Sequence, residues 1–229
     1  ASLLPLNSLR YIHTTNSNCK EILAGTDSVF ESICNALGVL PDPIPNNTQA
    51  LLLVEGKGDV TFINHTAFKL KEGGFIPYTL QEKNFAIVPI GGCGNLKHWV
   101  TMRLATQFNV PWCILLDSDK GTPEEIINTS AVSELKLQGI KAYVTQKREP
   151  ENYIHPDCLQ LRTRTLTYSD TDDAKKLIST ETSIKKENVL DTMWIRMTTD
   201  QIRDVEQFTD SNGNIHFELT EMINDFLTL

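Results

Sequence analysis

Two short runs in this sequence place acids at spacings that can do chemistry. Glu55-Gly56-Lys57-Gly58-Asp59 sets two carboxylates around a pair of glycines, and Asp117-Ser118-Asp119 sets two more at alternate positions. Carboxylates held close together repel, and their ionisation at neutral pH is tolerated when a cation sits among them. Ligands that are all oxygen suit Mg²⁺ or Mn²⁺ rather than zinc. Zinc has little support elsewhere: Cys19, Cys34, Cys93, Cys113 and Cys158 form no CxxC pair, and the dispersed histidines form no HxxxH pattern. Such unpatterned cysteines fit a reducing cytosol, so a cytoplasmic location is expected. Taken singly, each acidic run has a plain structural explanation. A DxD is common in solvated loops, and an EGxxD is often a helix cap. Together, each directly after an apolar run, they point to function.

The elements that must position these acids follow from the hydrophobic pattern. Ala50-Leu51-Leu52-Leu53-Val54 is a continuous apolar run of strand length, which reads as a strand buried on both faces. Asp59 then caps a helix through Val60, Ile63, Ala67 and Leu70. A second strand over Phe85–Ile90 ends in Gly91-Gly92, and a helix carrying Leu96, Trp99, Val100, Leu104 and Phe108 follows. The third strand, Trp112–Leu116, runs straight into Asp117, and the fourth spans Ile140–Val144. Alternating strands and helices predict an α/β, mostly parallel sheet in three layers. In such a sheet ligands bind outside the carboxyl ends of the strands. Glu55 and Asp117 both lie there, and on neighbouring strands ~4.8 Å apart they can face one ion. The glycines allow the turn that returns Asp59 to the same edge, and in extended chain Asp119 points the same way as Asp117. Glu151, after the fourth strand, reads equally as a fifth acid of the shell or as part of a solvated turn.

Outside this core the organisation is looser. Thr14 to Asn18 reads as loop, and a helix with a Ser28/Glu31 capping box carries Val29, Phe30, Ile33, Ala36 and Leu37 on one face before Gly38 stops it. Pro41 to Asn47 reads as a linker. We therefore divide the chain into an N-terminal helical segment and linker (1–48), a catalytic core (49–157) and a mostly helical C-terminal extension (158–229). Within the extension, 159–182 is polar and expected to be mobile or loosely helical, and Phe217 to Leu227 reads as an amphipathic helix. A hydrophobic fraction of 40% and a charged fraction of 22% are those of a soluble globular protein, and no apolar run approaches the length of a membrane span. The first residue is Ala, which reads as a processed product or part of something longer. The net charge of −8 carries no overall basic footprint of the kind a dedicated nucleic-acid binder shows. A nucleic-acid partner would need cations in the acidic site and another module to supply the grip.

Four stretches carry a family resemblance. VEGKGD (Val54–Asp59), PIGGCGN (Pro89–Asn95), LLDSDKG (Leu115–Gly121) and KREPENYI (Lys147–Ile154) resemble, in order and spacing, the motifs of Toprim domains. They are similar in particular to the overcoming-lysogenization-defect (OLD) family of ATP-powered nucleases, which the Arg-Glu-x-Glu-Asn-Tyr element (Arg148–Tyr153) separates from topoisomerase and primase Toprims. The resemblance covers about half of the chain. It implies a Rossmann-like Toprim fold and a DNA endonuclease of antiviral defence using two divalent ions, Mg²⁺ or Mn²⁺. By residue, it implies Glu55 and Asp117 as metal-binding acids, Asp59 and Asp119 as adjoining ligands, and Glu151 as the later glutamate, with Glu55, Asp117 and Glu151 carrying the chemistry. Water would attack phosphorus in line, between ions ~3.5–4 Å apart.

The same resemblance implies partners: a DNA substrate, an ABC-type ATPase domain in the same longer chain or on a separate protein, a homo-oligomer, and no membrane. The chain itself has no GxxxxGK[ST] phosphate loop. The family also uses a lysine well downstream to stabilise transition-state charge. No Gly-Lys motif follows Asp157, and Arg196, Lys147 and Lys120 stand as candidates without one being assigned. Two other readings are open: a primase-like Toprim enzyme, and a catalytically silent regulatory or scaffolding Toprim, which the unassigned lysine favours.

Overall fold

The computed structural model describes residues 10–14, 20–24, 47–91, 110–159 and 165–229. The expected helices around Ser28–Leu37 and Leu96–Phe108, most of the linker and the Gly92–Asn95 turn lie outside the described residues. Strands β1 (Arg10–Thr14) and β2 (Lys20–Ala24) pair antiparallel, with Ile12 opposite Ile22. The sequence reading did not anticipate this hairpin.

The core sheet is built from β3 (Ala50–Val54), β4 (Phe85–Pro89), β5 (Trp112–Leu116) and β6 (Lys141–Val144), in the order β4-β3-β5-β6 and parallel throughout. All five residues of β3 and of β5 are buried, as continuous apolar runs require when both faces of a sheet are covered. Alternation sorts them. Leu51, Leu53, Trp112, Ile114 and Leu116 face Val132 and Leu135 of α2 (Glu124–Leu137), while Leu52, Val54, Cys113 and Leu115 face Phe62, Ile63 and Leu70 of α1 (Lys57–Glu72). The result is the three-layer α/β arrangement expected from the sequence. Because β4 lies on one side of β3 and β5 on the other, the chain reverses direction across the sheet at β3. A crevice at the carboxyl ends is a consequence of that reversal.

The C-terminal residues build the outer layer on the α1 side. Helices α3 (Ala174–Thr182), α4 (Val189–Met193), α5 (Thr199–Val205) and α6 (Glu218–Phe226) follow one another, with a small hairpin of β7 (Gln207–Thr209) and β8 (Ile215–Phe217) before the last. The amphipathic stretch read from the sequence is α6, and it buries Leu219, Met222, Ile223 and Phe226. Phe62 of α1 is the junction. Its ring lies 4.6 Å from that of Trp194 and 6.0 Å from that of Tyr153, and its carbonyl accepts from the Trp194 indole at 3.1 Å. One continuous hydrophobic core therefore runs from Leu52 to Phe226.

Candidate metal centre

The two acid-bearing strand ends meet as the sequence predicts. β3 and β5 are neighbours, and the backbone N–H of Asp117 donates to Glu55 Oε1 at 3.1 Å, which ties one strand end to the other. Helix α1 begins at Lys57, three residues earlier than expected, so Asp59 sits in its first turn rather than before it. Its carboxylate accepts from the Gly56 N–H at 2.7 Å, which holds it at the mouth of the crevice. Neither glycine is needed for left-handed backbone here. Gly58 is instead a close approach: a Cβ there would lie 3.1 Å from Leu190 Cδ1, so a side chain at this position would press on Leu190 of α4.

Asp119 behaves differently from the expectation. Its φ is +50°, a left-handed conformation that Asp tolerates better than most residues, and the alternation that would align it with Asp117 is broken. Asn128, fully buried on α2, donates one side-chain amide to the Asp117 carbonyl and to Asp119 Oδ2, each at 2.9 Å. Asp119 does not line the cleft. It shapes the turn that presents Asp117.

That turn is laced to the loop after β6. Ser118 N donates to Thr145 Oγ1, Ser118 Oγ to the Lys147 carbonyl, and Asp119 N to the Arg148 carbonyl. The Arg148-Glu149-Pro150-Glu151-Asn152-Tyr153 element then works as a bracket. Arg148 N donates to the Asp170 carbonyl, and Asn152 Nδ2 to the carbonyls of Ser169 and Asp172. These bonds draw residues 169–172 across the sheet edge and set the start of α3. Glu149 Oε1 accepts from the backbone N–H of Lys175, and Asp173 caps the same helix through Lys176 N. Glu151, in the single 3₁₀ turn Pro150–Tyr153, is 1% exposed and turns into the cleft.

The cleft has a volume of about 410 Å³, and its lining includes Glu55, Asp59, Asp117, Glu151, Lys175 and Lys186. A larger hollow of about 580 Å³ lies beside Phe68 and Glu82, where Lys71 pairs with Glu82 at an exposed surface; it gathers no buried charge. Sequence reasoning missed Lys175. Its Nζ lies 3.1 Å from Glu151 Oε1 and 4.0 Å from Glu149 Oε2. The candidates named from sequence do not line the cleft: Lys147 pairs with Asp170 at 3.7 Å, Lys120 donates to the Gln146 carbonyl, and Arg196 is an exposed residue. One signal could have found Lys175. A lysine in the first turn of a helix opposes the macrodipole, and such a breach of local rule asks for a compensating acid nearby.

The electrostatics match the geometry. Burial, then the charges of Asp59, Glu55 and Glu151, push Asp117 well above the ordinary carboxylate range, with Lys175 opposing. Burial also raises Asp59, against the hydrogen bond from Gly56 and the charge of Lys175. Glu151 is pushed up to about 7, chiefly by burial. For Lys175, burial works against the ammonium, and the charges of Glu151 and Glu149 overcome it and raise its pKa. Among the described residues no three Asp, Glu, His or Cys side chains are drawn together as a finished metal cage. The donor set nevertheless suits a hard divalent ion: all oxygen, mutually repelling, and with one buried carboxylate oxygen, Glu151 Oε2, lacking any hydrogen-bond partner.

Residues 48–119 match the family model of the overcoming lysogenization defect protein-like TOPRIM domain. No curated protein matches the chain. Among solved structures, the C-terminal region of the Xanthomonas campestris pv. campestris OLD protein is similar over 80% of this chain and 97% of that one, at 15% identity and a TM-score of 0.48. The C-terminal region of the Burkholderia pseudomallei OLD protein is similar over 79% and 98%, at 15% identity and 0.49. Among the described residues no helix is long and apolar enough to cross a membrane. The match spans the acid-bearing ends of β3 and β5, so the segment that carries Glu55, Asp59, Asp117 and Asp119 is similar to an OLD-like Toprim domain.

Proposed function

We propose that the chain is a divalent-metal-dependent DNA endonuclease, the nuclease portion of an ATPase–nuclease that acts in antiviral defence. The observation that carries the reading is the cleft itself. Glu55, Asp59, Asp117 and Glu151 line it together at the carboxyl ends of adjacent strands, with Lys175 among them. Glu55, Asp59 and Asp117 would hold the cation, with Glu151 joining them from the turn after β6. A bound Mg²⁺ or Mn²⁺ supplies a Lewis acid for phosphoryl oxygens and lowers the pKa of water; the family resemblance carries an expectation of two such ions.

The remaining work falls to the chain's own groups. Lys175, fixed by Glu149 and Glu151, offers positive charge where negative charge develops on the phosphoryl group. Lys57 and Lys186 line the same cleft and meet the backbone phosphates on either side. With a net charge of −8, these few cations do not give a strong grip on DNA. An ABC-type ATPase domain, fused or separate, supplies the rest, in a homo-oligomeric assembly. Lys175 also removes the main support for a catalytically silent Toprim, which rested on the lack of a cationic partner.

The test is plasmid nicking or cleavage in Mg²⁺ or Mn²⁺. Glu55→Ala and Asp117→Ala are each expected to reduce it by at least ~10²-fold, the scale of losing a principal electrostatic contribution. Cleavage by both variants at the parent rate would place the chemistry elsewhere.

A further inference from the structure

Two-ion sites use carboxylates whose two oxygens can serve two cations ~3.5–4 Å apart. Glu151 offers this cleft two such oxygens, and one of them is already committed. Its Oε1 lies 3.1 Å from Lys175 Nζ, while its Oε2 is buried without a hydrogen-bond partner among the described residues. We infer that Lys175 stands in the place of a second metal ion, so that the cleft seats a single divalent ion and completes its positive charge with a lysine. This rests on the metal-binding reading above and revises the expectation of two ions.

Three observations make Lys175 a fixture rather than a passing contact. Its backbone N–H is held by Glu149 Oε1 at 2.9 Å, and Glu149 Oε2 also reaches its ammonium at 4.0 Å. The helix start that carries it is capped by Asp173 and anchored through Asn152 to the same turn that carries Glu151. Lysine and carboxylate therefore belong to one hydrogen-bonded unit and move together. An ion bound to Oε1 would have to displace the ammonium, leaving Lys175 partly buried beside a like charge. An ion on Oε2 meets an oxygen that no group among the described residues uses.

The experiment is Mn²⁺ binding to the full 229-residue chain, followed by calorimetry for stoichiometry and by electron paramagnetic resonance for coupling between ions. The wild type is expected to bind one Mn²⁺ and to show no spin-coupled pair at saturation. Lys175→Met is expected to admit a second ion and to show the coupled signal, and Lys175→Arg, which keeps the charge, to stay at one. A coupled pair in the wild type overturns the inference without any variant, as does a single ion in both wild type and Lys175→Met. Failure of the underlying reading looks different: no Mn²⁺ bound by the wild type, or one ion bound equally well by Asp117→Asn.

Discussion

Two glutamates of this molecule are almost equally buried, each 1% exposed, and they have opposite surroundings. Glu206 lies between α5 and α6 and is fully used. Its Oε2 accepts from Thr220 N at 2.6 Å, its Oε1 from Thr220 Oγ1 and from Arg203 at 2.7 Å each, and Arg203 is itself sandwiched between the rings of Phe75 and Phe217. Glu151 has one lysine and, among the described residues, an oxygen with no hydrogen-bond partner. Burial raises the pKa of both acids. A raised carboxyl is thus no mark of function by itself, since desolvation acts on any buried acid. What separates the two is whether the protein supplies the missing donors. At Glu206 it does, and the acid fastens two helices. At Glu151 it does not, and a site that leaves a buried acceptor open implies a partner from outside.

The comparison breaks if removing the two acids has the same effect on stability. Glu206→Ala strips the donors of Thr220 and Arg203 of their acceptor inside the protein, which should cost about 3 kcal/mol or more and lower Tm by roughly 6–12 °C for a chain of this size. Glu151→Gln takes away a charge that burial disfavours while keeping the shape, and should change stability by no more than about 1 kcal/mol. Thermal unfolding in EDTA measures both. Equal losses would mean that Glu151 is a structural acid like Glu206.

The same contrast explains what the sequence discloses. β3 and β5 are legible because continuous apolar runs have few alternatives to a doubly covered strand, and acids directly after them must lie on the sheet's carboxyl edge. Glu55, Asp59 and Asp117 were placed at that edge by this reasoning. Asp119 was misplaced because a single residue at φ +50° undoes the period of two on which the argument depends. Lys175 could not be placed, because its position is set by hydrogen bonds between Asn152 and the carbonyls of Ser169 and Asp172, in a polar stretch with no periodicity to read. Strand ends follow from local pattern. The place of Lys175 in the cleft follows from long-range hydrogen bonds that leave no pattern in the sequence.

A second way to sharpen the comparison is to supply the missing partner. Divalent ion binding to the folded chain alone should stabilise it by ~2.7 kcal/mol at a hundredfold excess over Kd, or about 5–11 °C in Tm. Asp117→Asn should abolish that gain. In EDTA it should melt no lower than the wild type, because Asp59, Glu55 and Glu151 no longer face a fourth negative charge. Mg²⁺ and Mn²⁺ should leave the Glu206 cluster untouched, so Glu206→Ala should show the same metal-induced rise from a lower baseline. Loss of the metal response in Glu206→Ala would show instead that the two regions are coupled.

The smallest expected effect concerns Glu218, the acid that links the two regions. It stands at the start of α6, two residues before Thr220, and accepts from the Tyr153 hydroxyl at 2.6 Å and from Gln146 N at 2.7 Å. Through Tyr153 it touches the turn that carries Glu151. Burial, outweighing those bonds, pushes its pKa from 4.5 up to about 7. Between those two values the folded chain holds a proton that the unfolded chain has released, so this contribution to stability is fully present below pH 4.5 and is lost as pH rises through 7. Glu218→Gln, which keeps an acceptor for Tyr153 but cannot titrate, should therefore flatten the decline in Tm between pH 4.5 and 7 by a few °C, measured in EDTA. Because the cleft acids titrate over the same range, the quantity to compare is the difference between wild type and variant at each pH. A difference that does not vary with pH would show that Glu218 is charged throughout, satisfied by its donors as Glu206 is by its own.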